Sequence, residues 1–263
     1  MKKPKGEYAI QTVVNATRLL EAFHDEEELG VTELSHLLDL HKNNVFRLLA
    51  TLEAQGYIEQ STVSDRYRLG VRTLELGQSF LRGRTLLRRA RPILTALAGE
   101  LKESAHLAAL RGFEVVHLDG ALGEQLVQTK LRVGERLPAH CTALGKVLIG
   151  CAGENVREAY DHKLTAADEL GARTASTIVD RDKLFEHLRA VAGAGFALDL
   201  EECEPGLCCA AAPVYDVGGR LVAALSVSGP AFRLGEEHLL RCVVPAVTGA
   251  AEALSRELGY TAS

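Results

Sequence analysis

Residues 41–58 read HKNNVFRLLATLEAQGYI, and they carry side chains suited to reading a polynucleotide. Asn43 and Asn44 can make bidentate contacts to adenine, and Arg47 to guanine or to a phosphate. Lys42 stands where backbone phosphates would pass at a helix start. Arg66, Tyr67 and Arg68, on a predicted hairpin downstream, can add backbone or minor-groove contacts. Thr32, at the start of the preceding helix, joins this candidate DNA-contacting set. Polar residues on one side of an isolated amphipathic helix are usually just solvated. A short helix before them and a hairpin after them change that weighing.

A second constellation lies in the back half. CTALGKV (141–147) places Ala143, Leu144 and Gly145 at a helix N-terminus, where unpaired N–H groups and the helix dipole favour a carboxylate. Ser226 and Ser228 are two apart on a predicted strand, so both hydroxyls face one side. Asp199 ends one strand and Cys209 begins the next. Each has a plainer reading: serines at period two as surface, Asp199 as a turn cap, Cys209 as a small buried hydrophobe. His140 reads as a structural hydrogen-bonder and is grouped with this site.

Catalysis finds little support. His140 and Cys141 are sequence neighbours, which on a strand point to opposite faces. GGR (218–220) suits a hairpin turn. There is no HExxH, GxSxG or phosphate-loop motif, so no catalytic residue is assigned. The spacing of Cys203, Cys208 and Cys209 is not a zinc spacing, and no metal or cofactor is expected.

The elements that must position these groups follow from periodicity. Helices are predicted over 12–23, from about Thr32, and from His41 to the Gly56 C-cap. Strands over 57–60 and 66–69 flank a polar turn at 61–65. Three short helices and a hairpin make a winged helix-turn-helix. Residues 71–87 are helical again, with an apolar face that needs a partner. Pro92 marks a helix start or a kink. Two strands then join at 111–113, and a further extended segment covers 124–140. Helices follow at 141–152, to about His162, and at 180–195. Strands at 210–215 and 220–228 surround the turn at 216–219, and a last helix over 235–258 is interrupted or kinked at Pro245. Helices flanking a mostly antiparallel sheet predict an α+β domain.

Composition frames this reading. The 263 residues are long enough for two domains, with 47% hydrophobic and 25% charged content. No apolar run reaches the roughly 18 residues of a membrane span. Residues 1–7 read as a disordered lead, and no apolar segment follows them as in a secretory signal, so a cytoplasmic location is expected. The six cysteines read as reduced thiols. Residues 1–91 hold 14 Lys/Arg against 12 Asp/Glu, and residues 92–263 hold 16 against 23. A mildly basic front and an acidic back suggest different partners.

Taken together, TELSHLLDLHKNNVFRLLATLEAQGYIEQ and DRYRLGVRTLELG resemble the DNA-binding domain of the IclR family of bacterial transcriptional regulators. RVGERLPAHCTALGKVL, DLEECEPGLCCAAAPVYD and AALSVSGPAFRL resemble that family's effector-binding domain. The resemblance covers about residues 7–259. It implies a winged helix-turn-helix over 7–70, a linker helix for dimerisation over 71–91, and a GAF-like α+β domain over 92–259. It also implies dimers, often paired into tetramers, on palindromic double-stranded operators. Carried over residue by residue, Ala143, Leu144, Asp199, Cys209, Ser226 and Ser228 surround a small carboxylate effector, with Leu126, Thr129 and Leu207 as apolar walls. The chain departs from the pattern at Cys208, which makes a pair of adjacent thiols, and at Ala139, where a larger apolar residue is common.

Overall fold

A computed structural model of the chain describes residues 9–24, 26–82, 85–166 and 170–261. The predicted lead at 1–7 lies outside the described residues. The chain divides into two compact units, Met1–Arg84 and Thr85–Ser263. Among the described residues no helix is long and apolar enough to cross a membrane.

In the first unit, helices α1 (Gln11–Glu21), α2 (Val31–Leu38) and α3 (Lys42–Ala54) precede strands β1 (Ile58–Gln60) and β2 (Tyr67–Leu69), then helix α4 (Val71–Arg82). Leu19, Leu34, Val45, Leu49 and Ile58 close one small core. Gly30 caps α2, so the helix begins just before the predicted start at Thr32. The Gly30 N–H donates to Glu33 Oε2 at 2.7 Å, so Thr32 lies exposed inside the first helical turn. Asp39 turns the chain through φ +54, and the His41 Nδ1 accepts the Asn43 amide to open α3. Gln55, not Gly56, is the C-cap of α3, and Gly56 follows it at φ +75, the left-handed turn that ends the helix. The end of the hairpin then passes close to it: a Cβ on Gly70 would lie 2.4 Å from the Gly56 carbonyl oxygen. Tyr67 exchanges two backbone bonds of 2.9 Å with Leu29, which pins the hairpin to the loop before α2.

The second unit starts with helix α5 (Thr85–Leu101), and Pro92 sits inside this helix rather than starting it. Strands β3 (Ser104–Arg111) and β4 (Glu114–Ala121) form the expected hairpin. Of the extended segment predicted over 124–140, only β5 (Arg136–Pro138) pairs. Gly134, at φ +88, turns the chain there, and its N–H and the Glu135 carbonyl bond back to His117. Residues 122–133 thus pair with no strand, although Thr129 bonds to Ser104 and Ser228. Helices α6 (Ala143–Gly150), α7 (Glu154–Ala166) and α8 (Arg181–Ala194) precede β6 (Ala197–Leu200), β7 (Leu207–Tyr215) and β8 (Leu221–Pro230). The last helix is broken by a π-helical turn, Leu239–Val243, between α9 (Glu236–His238) and α10 (Val244–Glu257), with Pro245 in the first turn of α10.

All six strands pair antiparallel in the order β5-β4-β3-β8-β7-β6. Alternation splits the sheet cleanly. Leu107, Ala210, Ala212, Leu225 and Val227 face a core built with α5 and α10. Ala108, Ala197, Ala211 and Ala224 face α6 and α8 on the other side. The small alanines let the short α6 lie close to the sheet. The fold is the α+β arrangement expected, and it leaves one end of the α6 face open.

Candidate functional site

That end is a cavity of about 320 Å³. Strand register brings its floor together. Ser226 pairs with His106, Ser228 with both Ser104 and Cys209, and Cys209 with Asp199. His106, Ser226, Ser228, Cys209 and Asp199 therefore form a polar continuation of the alanine face, and all five line the cavity. Ala143 and Leu144, at the start of α6, line its roof. Thr142 caps that helix: its Oγ1 accepts the Gly145 amide at 3.1 Å and donates to the Pro138 carbonyl at 3.0 Å. Gly145 is required there, because a Cβ would lie 2.2 Å from the Ala139 carbonyl oxygen. The first-turn amides of a helix have no intrahelical acceptors. Gly145 and Lys146 give theirs to Thr142. The amides of Ala143 and Leu144 remain for an anion.

Burial sets the charges. Asp199 Oδ1 accepts the amides of Glu202 at 2.8 Å and Cys203 at 3.3 Å, yet burial pushes its carboxyl up to about 7 against those bonds and the nearby Lys146. Lys146 is wholly buried on α6, with its Nζ 2.5 Å from Glu202 Oε1. Burial pushes the Cys209 thiol well up, so it is a neutral neighbour and not a nucleophile. His106 Nε2 lies 2.9 Å from Ser228 Oγ, which lies 3.0 Å from Thr129 Oγ1. The His117 ring meets His106 edge-on at 5.5 Å. Burial pulls His106 down to about 3 and His117 to about 4, so both are neutral near pH 7. Arg132, also in the lining, is held by Glu135 and Glu204.

Thr129 and Leu207 join the lining as well, so eight of the ten expected effector residues meet at one cavity. Two do not. Leu126 is fully exposed and forms no wall; Leu137 and Pro230 are there with Leu207 instead. His140 is turned away, its Nε2 3.1 Å from the Gly171 carbonyl. Nor do His140 and Cys141 lie on a strand; they occupy the turn before α6. Cys141 is buried, and its hydrogen bond with the Cys203 thiol, and then burial, push it up. Sequence reasoning missed His106, His117, Thr142, Lys146 and Arg132. The signal for the histidines was present: each interrupts an apolar alternation, in HLAAL and VVHLD.

In the first unit, Lys42, Asn43, Asn44 and Arg47 are all exposed along the first turns of α3. Arg68 pairs with Glu59 at 2.6 Å. Arg66 pairs with Glu33 at 2.8 Å and donates to the Glu28 carbonyl, so it also ties the hairpin to the helices. Tyr67 is only 4% exposed and belongs to the core, which removes it from any DNA-facing set.

Comparison with known proteins agrees with both units. The IclR helix-turn-helix domain model matches residues 12–62, and the bacterial transcriptional regulator IclR C-terminal model matches residues 78–256. The HTH-type transcriptional regulator XynR of Escherichia coli is 35% identical over 96% of this chain and 99% of its own. A transcriptional regulator structure from Rhodococcus superposes with a TM-score of 0.81 at 28% identity, covering 95% of this chain and 98% of that one. An IclR homologue from Microbacterium hydrocarbonoxydans, complexed with 4-hydroxybenzoate, superposes at 0.80 with 25% identity over 94% and 98% of the two chains.

Proposed function

We propose, from the premise that this chain belongs to the IclR family of bacterial transcriptional regulators, that a small organic acid held in the cavity of the second unit modulates operator binding by the first. The observation that carries this reading is the row Asp199, Cys209, Ser226 and Ser228 facing the amide end of α6 across one cavity. Helix amides and hydroxyls supply donors for a carboxylate, while Leu137 and Leu207 suit its carbon body. A neighbour of the same fold is complexed with 4-hydroxybenzoate, an acid of this kind.

On this reading α3 enters the major groove. Asn43, Asn44 and Arg47 read base edges, while Lys42, Arg66 and Arg68 take phosphates, with Thr32 beside them. The functional division runs as 7–70 for DNA, 71–91 for dimerisation, and 92–259 for the effector. Val71, Leu74 and Leu76 on α4 are more than half exposed, which suits a partner helix. Two chains then read a palindrome with half-sites about 34 Å apart, as dimers or as pairs of dimers. The protein acts in the cytoplasm, uses no cofactor and catalyses nothing.

The test is fluorescence anisotropy of the purified chain on duplex DNA from upstream of its own gene, with and without a panel of small carboxylates. Saturable binding that one acid shifts supports the reading. A scrambled duplex that binds equally well, with no effect of any acid, overturns it.

A further inference from the structure

Two turns that meet at the cavity each carry a cysteine. Cys141 lies in the turn before α6 and Cys203 in the turn after β6, and both are buried free thiols. The two thiols are hydrogen-bonded to each other. Their turns are held in place. The Cys203 amide donates to Asp199 Oδ1 at 3.3 Å, and its carbonyl accepts Arg173 Nε at 3.0 Å. The Lys146–Glu202 pair ties α6 to the residue beside Cys203. Cys203 also belongs to the cavity lining, which gives a small solute a route to this turn.

The pair is unequal. Its bond from Cys141 holds the Cys203 thiol below the ordinary range, against burial and Asp199 and with help from Arg173 and Arg132. Cys203 is therefore the attacking thiol and Cys141 the resolving one. We propose that hydrogen peroxide entering the cavity converts Cys141 and Cys203 to a disulfide, and that this bond makes acid sensing redox-dependent. The Cys203 sulfur attacks one peroxide oxygen. The O–O bond breaks, hydroxide leaves with the Cys203 proton as water, and Cys203 becomes a sulfenic acid. The Cys141 sulfur then attacks the Cys203 sulfur. The S–O bond breaks, and the hydroxyl leaves with the Cys141 proton as a second water. The two thiols together lose two electrons, and the peroxide gains them. An S–S bond of about 2.05 Å is far shorter than any contact between unbonded sulfurs. Bonding thus draws the Asp199 turn towards the start of α6 and narrows the cavity between them. The effect on sensing rests on the reading that an acid occupies this cavity; the disulfide itself does not.

The full chain, treated with hydrogen peroxide and then alkylated, is digested without reductant and mapped by mass spectrometry. A peptide joining Cys141 to Cys203, released by dithiothreitol, is expected. Cys141→Ser should stop at a Cys203 sulfenic acid that dimedone captures, and Cys203→Ser should give neither product. Melting temperatures control for folding, and the wild-type map decides the bond if a variant does not fold. Calorimetry with a panel of small carboxylates should find each acid that binds the reduced chain weakened about fivefold or more in the oxidised chain, and restored by dithiothreitol. Links only through other cysteines, or no link, overturn the inference. A Cys141–Cys203 bond that leaves acid affinity unchanged overturns the switch alone. No acid bound by the reduced chain overturns the acid reading and the switch with it, while the disulfide stands or falls on the map.

Discussion

Asp199 is poised between two states. Burial lifts its carboxyl to about 7, while two backbone amides and Lys146 pull the other way. The folded chain thus holds this proton more tightly than the unfolded chain, whose value lies near 3.8. The stability this group contributes is fully present below the unfolded value and is lost as pH rises through about 7. An anionic effector beside it favours the protonated form for the same electrostatic reason. Its affinity is therefore expected to fall as pH rises through about 7, and Asp199→Asn should flatten that dependence. Calorimetry across the range checks both; an unchanged slope in the variant would locate the titrating group elsewhere. The two cavity histidines, at about 3 and about 4, stay neutral throughout. At the other site Arg47 is exposed and free to reach a base. Arg47→Ala should weaken operator binding by about 1–3 kcal/mol and relax preference at one base position, measured by anisotropy on single-substitution operators. A uniform loss across all of them would instead make Arg47 a phosphate contact.

The short helix α6 bears more of the site than its eight residues suggest. Its N-terminus faces the cavity, and its wholly buried Lys146 ties it to Glu202, in the turn whose amides hold Asp199. Removing one partner of a buried pair leaves an uncompensated charge, so Lys146→Met should destabilise the second unit by about 3–5 kcal/mol. Lys146→Met with Glu202→Gln should recover most of that. Chemical denaturation followed on this unit decides it: equal losses would mean that the pair is not coupled. Gly145→Ala should be as damaging, because the Cβ meets backbone at 2.2 Å and not a yielding side chain. Much of this architecture is readable from the chain. The winged helix-turn-helix follows from periodicity and from Gly56, and Ser226 and Ser228 share a face because strands alternate. What the sequence conceals is register. Nothing local says that His106 lies opposite Ser226, or that residues 122–133 pair with no strand. The backbone bonds of His117 with Gly134 and Glu135 decide that, and they are long-range. Leu126 and Tyr67 mislead for the same reason: a leucine in a loop that pairs with no strand stays exposed, and a hairpin tyrosine completes a core assembled from distant helices.

At the scale of the molecule, one ligand must bias an event in the other unit, and thermodynamics limits how. If an acid alters operator affinity by some factor, operator DNA must alter acid affinity by the same factor. Couplings of this kind run to about 1–3 kcal/mol, or roughly 5–150-fold. The serines allow a clean test because they lie in β8, and their hydroxyls serve the cavity rather than the apolar core on the opposite face. Ser228 also bonds His106 and Thr129, so its loss loosens the lining without opening that core. Ser226→Ala with Ser228→Ala should therefore abolish the response to acid while ligand-free DNA affinity stays within about twofold. Operator binding itself should remain electrostatic, its log K falling with log salt at about −0.9 per phosphate contact in wild type and variant alike. Titrations of acid with and without DNA, and of DNA with and without acid, close the cycle. A double variant that still responds would move the effector out of this cavity. An equal salt slope with the response gone would establish that reading DNA and sensing the acid are separable functions of the two units.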